Sequence, residues 1–211
     1  MLDVHPPHEK MHGFTDFLLH LLTITIGLLI ALGLEGCVEH WKQRELQKDA
    51  DTKLRQEIRD NAKEIALVHN ANATEQANLV RIVNFMSARK KNQSYDTHQI
   101  RLDFTLGDLK SASWKTAAAT GALGFMEYDQ VQRYSDVYQL QDKYSALQDQ
   151  TIDEFLQLQS YVIYGFDPEK ITPADAGSAE LDARRALVRL TAMDQVGTAL
   201  AKEYDAVLKS N

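Results

Sequence analysis

Residues 17–34 read FLLHLLTITIGLLIALGL, eighteen positions without a Lys, Arg, Asp or Glu. At about 1.5 Å of rise per residue, a helix of this length extends roughly 27 Å, close to the ~30 Å hydrocarbon core of a bilayer. No other stretch of the chain approaches it. The run predicts one membrane-spanning helix, placed within residues 14–37, with Trp41 at the boundary between lipid and water.

The residues before the run favour a retained anchor over a cleavable signal. Lys10 is the only basic side chain ahead of the apolar stretch, and no A-x-A site follows it. A lipoprotein box at Leu34-Glu35-Gly36-Cys37 would carry an atypical acidic residue and an unusually late cysteine. Past the span come Lys42, Arg44, Lys48, Lys53 and Arg55. Positive residues mark the cytoplasmic side, so this asymmetry favours a cytoplasmic C-terminal domain over an extracytoplasmic one.

The anchor has two kinds of surface. Asp16, His20, Thr23, Gly27, Ala31 and Glu35 recur at intervals of three or four and share one helix face, while Leu and Ile fill the rest. Gly27-xxx-Ala31 is a small-xxx-small spacing that lets helix backbones approach closely. Thr23, Gly27 and Ala31 are therefore the expected oligomer contact. Asp16, His20 and Glu35 form an intramembrane polar set. Such groups are costly against lipid, and they seek a partner, water or an ion path.

The leader, residues 1–13, is rich in histidine. His5, His8 and His12 place three imidazoles within eight positions, a feasible chelate for a transition metal or a group that titrates near neutral pH. No matching cluster follows later, and a short polar juxtamembrane tail accounts for the same residues.

Beyond the span, about 170 residues remain, enough for one domain with its own core. Only four prolines occur, and Ala, Leu, Gln, Glu and Lys are plentiful, which favours helix. Residues 38–57 read as a charged stalk helix and 58–211 as a helical bundle. Two seams recur every seven residues: Ile58, Ile65, Asn72, Leu79, Met86, and Leu54, Asn61, Val68, Glu75, Ile82. This is a heptad with a polar middle, the pattern of a coiled coil in which Asn sets register. After a loop, Asp108 is placed to cap a short helix, 109–120, that Gly121 ends. A long helix over 126–164 carries a broad apolar stripe, and a last helix over 179–208 repeats Ala183, Ala186, Leu190, Met193, Gly197, Leu200, Tyr204 and Val207. Tyr128, Tyr134, Tyr138 and Tyr144 read as core residues with hydroxyls reaching the surface. The predicted fold is all-α: one transmembrane helix continuing into a stalk helix and an antiparallel bundle of about four helices.

The net charge of −7 and the lack of a basic block argue against nucleic acid as a partner. The single cysteine, Cys37, excludes an internal disulfide. Phosphate-loop, H-E-x-x-H and G-x-S-x-G motifs are all missing, and no catalytic residue or obligate cofactor is expected.

Two stretches carry a resemblance. Residues 23–32, TITIGLLIAL, followed by Glu35 and Trp41, resemble the V-x-I-G-I-L-I-A-L type anchor of a widespread family of bacterial membrane proteins without assigned function. Residues 114–138, WKTAAATGALGFMEYDQVQRYSDVY, are similar to that family's later segment, a small-Gly-x-Leu turn leading into a helix with spaced aromatics. The leader from His5 to His12 looks like a subgroup with histidines before the span. The resemblance implies a single-pass protein of the bacterial inner membrane with a helical domain, and it supplies no reaction.

The functional expectation is a non-catalytic, membrane-anchored protein that self-associates and serves as a scaffold or sensor-like accessory subunit. Its expected partners are the bilayer, copies of itself and a larger membrane complex. The alternatives are a transporter or channel subunit using Asp16, His20 and Glu35, or a metal or pH sensor using His5, His8 and His12.

Overall fold

The structure is a computed structural model that describes residues 13–161 and 170–210. Among the described residues four α-helices follow one another: α1 (Phe14–Lys90), α2 (Ala112–Ala119), α3 (Tyr128–Gln159) and α4 (Ala176–Lys209), with a 3₁₀ turn at Ala122–Phe125 between α2 and α3. Among the described residues there is no β-strand, so the fold class is all-α as the sequence predicts. The chain divides into two compact units between Lys48 and Asp49, inside the segment read as a stalk.

In the first unit, the described residues belong almost wholly to the N-terminal part of α1. Nothing lies within 4 Å of where a Cβ on Gly27, Gly33 or Gly36 would stand. Thr23 and Thr25 turn their hydroxyls back onto the carbonyls of Leu19 and Leu21, at 2.9 and 2.8 Å. Each hydroxyl is thereby satisfied within its own helix, a habit of threonine in apolar surroundings.

In the second unit, all ten heptad positions of α1 are buried. So are the eight seam positions of α4. These seams close on one another and on α3 within one chain. The heptad of α1 therefore builds an intramolecular bundle, which leaves its polar positions no role in joining copies.

Hydrogen bonds fix the directions of the elements. Asp51 meets Tyr134 and Asn61 meets Gln141, so α3 runs parallel to α1. Arg55 meets the Val207 carbonyl, His69 meets Asp194 and Lys90 meets Glu180, so α4 runs antiparallel to α1. Between α1 and α2, residues 91–111 form no helix and return alongside α1: Thr105 lies at Glu75, Lys110 at Asn61 and Ser113 at Glu57. The order is helix up, strap down, helix up, helix down. An extended strap occupies the position that a second long helix holds in a regular four-helix bundle.

The strap explains where α2 begins. The sequence places Asp108 as the cap of a helix from residue 109, but α2 starts at Ala112. The carbonyls of Gly107 and Lys110, which a helix starting there would need for its own N–H groups, accept from the side-chain amides of Gln148, Asn61 and Gln141 instead. The cap comes from another element instead: Glu57 Oε2 accepts the Ser113 N–H at 2.9 Å, placing a carboxylate at the helix N-terminus. Gly121 ends the helix as predicted. It adopts φ +74°, a left-handed conformation that costs glycine nothing.

Candidate functional site: an exposed apolar helix and a buried polar core

Among the described residues, α1 is the one helix long and apolar enough to cross a membrane, and none of its apolar window is buried. Leu18, Leu22, Leu29 and Leu34 are each more than half exposed, and Trp41 is 64% exposed. Asp16, His20, Thr23, Gly27, Ala31 and Glu35 all lie on α1 and are all exposed. They share a face of one helix, on which the Thr23 hydroxyl bonds back to the Leu19 carbonyl. His5, His8 and His12 lie outside the described residues.

The bundle interior is polar to an unusual degree, and its polar groups are arranged in layers. At one end, Asp51 Oδ1 accepts from the Tyr134 hydroxyl at 2.6 Å and from Gln130 Nε2 at 2.5 Å. Arg55 Nε bonds the same carboxylate at 3.1 Å, and its Nη1 donates to the Val207 carbonyl at 3.1 Å. One turn along, Glu57 Oε1 accepts from the Tyr138 hydroxyl at 2.7 Å, and the Trp114 ring stacks on Tyr138 at a centroid distance of 5.3 Å. Burial pushes the Tyr138 hydroxyl far above the usual tyrosine range, and the bond to Glu57 adds to the shift. The Tyr138 hydroxyl thus ends on a buried carboxylate, Glu57, and the Tyr134 hydroxyl on the half-buried carboxylate of Asp51. Tyr128 alone of the predicted series is out in solvent, 78% exposed.

Next comes an amide layer. Asn61 Nδ2 donates to the Lys110 carbonyl at 2.7 Å and to Gln141 Oε1 at 3.0 Å, while Gln141 Nε2 donates to the same carbonyl at 2.9 Å. The Tyr204 hydroxyl closes the network on Gln141 Oε1 at 2.7 Å. One layer on, Gln148 receives the Gly107 N–H at 2.9 Å and donates to the Gly107 carbonyl at 3.1 Å. Side-chain amides therefore pair with the strap backbone as a neighbouring strand would.

The middle of the bundle holds a different cluster. Asp194 Oδ1 lies 2.9 Å from His69 Nδ1 and accepts from Asn72 Nδ2 at 2.8 Å. The Thr105 hydroxyl donates to Glu75 Oε1 at 2.7 Å. Asn72 Oδ1 and Glu75 Oε2 are buried without a hydrogen-bond partner. Burial raises the Glu75 carboxyl above the usual range, with the Asp103 charge acting the same way against the Thr105 bond. The Tyr144 hydroxyl is pushed up to about 12, first by burial and then by the charges of Asp194 and Glu75. His69 also lines a shallow hollow with Ile65, Ala66, Gly197, Thr198 and Ala201.

At the far end, Glu180 holds Lys90 at 2.7 Å and Arg184 at 2.8 Å, and Asp182 accepts from the Tyr161 hydroxyl at 2.6 Å. Among the described residues, no group of three or more His, Cys, Asp or Glu side chains is placed to hold a metal ion.

Sequence reasoning missed the glutamines. Gln141 is 2% exposed, and with Gln148 it occupies a seven-residue series, Tyr134, Gln141, Gln148, Phe155, that marks a seam of α3. The spacing was available, but polar side chains at seam positions obscure a pattern sought by hydropathy.

These features define an all-α protein with one candidate membrane helix and a bundle whose polar interior is hydrogen-bonded to a strap. No protein-family model, curated protein or solved structure matches the chain.

Proposed function

We propose that this chain is a single-pass membrane protein whose anchor, within residues 14–37, lies in the bilayer. Its second unit then serves as a non-catalytic helical scaffold or sensor-like accessory domain. The complete exposure of the apolar window carries this reading. A run of Leu and Ile that no part of its own chain covers needs another apolar medium, and the bilayer supplies one of matching thickness.

Self-association through Thr23, Gly27 and Ala31 is the accompanying proposal. The Thr23 hydroxyl is already bonded to Leu19 within the helix, so the stripe can approach another backbone without burying a bare donor. The positive residues from Lys42 to Arg55 support a cytoplasmic position for the second unit, and the anchor motif supports the bacterial inner membrane. The filled bundle interior, whose polar groups serve one another and the strap, favours a structural role over catalysis.

The test is extraction of membranes at alkaline pH, followed by crosslinking of the retained protein in place. Retention in the pellet, with dimers or higher species that Gly27→Leu weakens, is expected. Release of the intact chain into the supernatant overturns the anchor. Retention with monomer alone overturns self-association and leaves the anchor standing.

A further inference from the structure

Two buried oxygens in the middle of the bundle lack a donor: Asn72 Oδ1 and Glu75 Oε2. Both belong to seam residues of α1, 1% and 4% exposed. They stand three positions apart, which makes their side chains neighbours on the helix surface. A bare acceptor in a dry core costs about 1–3 kcal/mol, and a bare carboxylate oxygen costs more. A pair of orphaned acceptors side by side is the signature of a missing proton, because one hydrogen between them serves both.

The other partners of each side chain are fixed. Asn72 gives its Nδ2 to Asp194, so its oxygen is the end turned away from α4. Glu75 Oε1 is taken by the Thr105 hydroxyl of the strap, so Oε2 is the end left over. The charged and titratable groups around the site discourage a second negative charge. Asp103 on the strap raises the Glu75 carboxyl, and Asp194 on α4 sits against Asn72. Tyr144 on α3 feels both Asp194 and Glu75. His69 on α1 is engaged by Asp194.

We propose that Glu75 is a neutral carboxylic acid in the folded protein, donating its Oε2 proton to Asn72 Oδ1, and that this proton is the pH-sensitive part of a latch holding the strap to α1. Two links are in place, Thr105 to Glu75 and Asn72 to Asp194, and the proposed bond between Glu75 and Asn72 joins them into one chain from the strap through α1 to α4. Loss of the proton breaks the middle link and leaves two facing acceptors. The strap is the element that yields, since the helices are held by their own backbone bonds. The proposal is independent of the membrane reading.

The sign follows from linkage. A carboxyl whose folded pKa lies above its unfolded value makes the folded state bind more protons, so stability falls as pH rises from the ordinary carboxylate value of 4.5 through the folded one.

The test uses the full chain in detergent micelles with ¹³C-labelled glutamate carboxyls and pH-resolved amide exchange. One carboxyl resonance is expected to titrate above the ordinary glutamate range and to vanish in Glu75→Gln. Strap amides near Thr105 are expected to exchange at least about tenfold faster above that transition, after correction for the intrinsic base-catalysed rate. Glu75→Gln carries a carboxamide in place of the acid and can donate the same bond, so its strap is expected to stay protected at every pH. Three results overturn the proposal. The first is a Glu75 resonance titrating in the ordinary range, which means that a water fills the gap beside a carboxylate. The second is strap protection indifferent to pH in the unsubstituted chain. The third is a Glu75→Gln chain that fails to fold.

Discussion

Asn61 holds both backbone polar groups of Lys110: Oδ1 accepts the Lys110 N–H at 2.9 Å and Nδ2 donates to the Lys110 carbonyl at 2.7 Å. The two residues are 49 positions apart in sequence. A seam position of α1 thus fixes the path of the strap. Asn61→Ala removes both bonds and strands the Lys110 N–H, while the Lys110 carbonyl keeps Gln141 and the Gln141 oxygen keeps Tyr204. A loss of about 1–3 kcal/mol in the stability of the second unit is expected, from the unmet Lys110 N–H. Denaturant unfolding followed by Trp114 fluorescence, in a Trp41→Phe background, measures it. Lys110→Ala leaves the backbone in place and is expected to change stability by less than about 0.5 kcal/mol.

Gly197 sits in the interior of α4, where alanine ordinarily stabilises a helix by about 0.5–1 kcal/mol. Here a Cβ would stand 3.0 Å from Cε2 of Tyr144. That ring is 1% exposed and has no room to withdraw. The steric cost exceeds the helix gain, and Gly197→Ala is expected to destabilise by about 1–2 kcal/mol net. A stabilised variant in the same unfolding assay would show that the ring gives way.

Five tyrosines have hydroxyls pushed upward, with burial the largest cause in each. Tyr144 and Tyr161 reach about 12, and Tyr134, Tyr138 and Tyr204 go further. In the unfolded chain a tyrosine ionises near its ordinary value of 10. The folded state therefore binds more protons in alkali, and stability is lost as pH climbs above about 10. The expected record is a tyrosinate absorbance change that coincides with loss of the bundle's near-ultraviolet dichroism. If the absorbance change came first, the hydroxyls would be accessible in the folded state.

Glu180 responds in the opposite direction. Lys90 and then Arg184 hold its carboxyl below the ordinary value of 4.5. A depressed folded pKa contributes stability above the unfolded value and loses it as pH falls through the folded one. Lys90→Met is expected to weaken the unit near neutral pH, with the gap from the parent chain shrinking below about pH 4.5. Paired unfolding curves at the two pH values give the comparison, and a gap independent of pH would assign the loss to packing of the lysine stem.

The helices were legible because their periods survive in local sequence. The seams of α1 and α4 could be written out residue by residue, and every one of those positions is buried. The bounds were less secure: α3 begins at Tyr128 after an extended Glu127 and ends at Gln159, short of the expected 164. The strap was beyond reach. Its residues carry only a short alternation from Gln99 to Thr105, too brief to predict a sheet, and its conformation is imposed by Asn61, Glu75, Gln141 and Gln148, which lie 30 to 49 positions away. The polar residues of the α1 seam were noticed, but their partners cannot be read from one helix. Nor does spacing show that Glu57 on α1, rather than the adjacent Asp108, caps α2.

The amide clamps grip main-chain atoms, and every residue type offers the same ones. Leu106, Asp108 and Lys110 point outward from a path they do not determine, while a Cβ added to Gly107 between them would stand 3.2 Å from a Val68 methyl. The outer surface of this segment is therefore open to diversification at little cost to the architecture, which makes it the natural place on the molecule to graft an epitope or to evolve a new specificity.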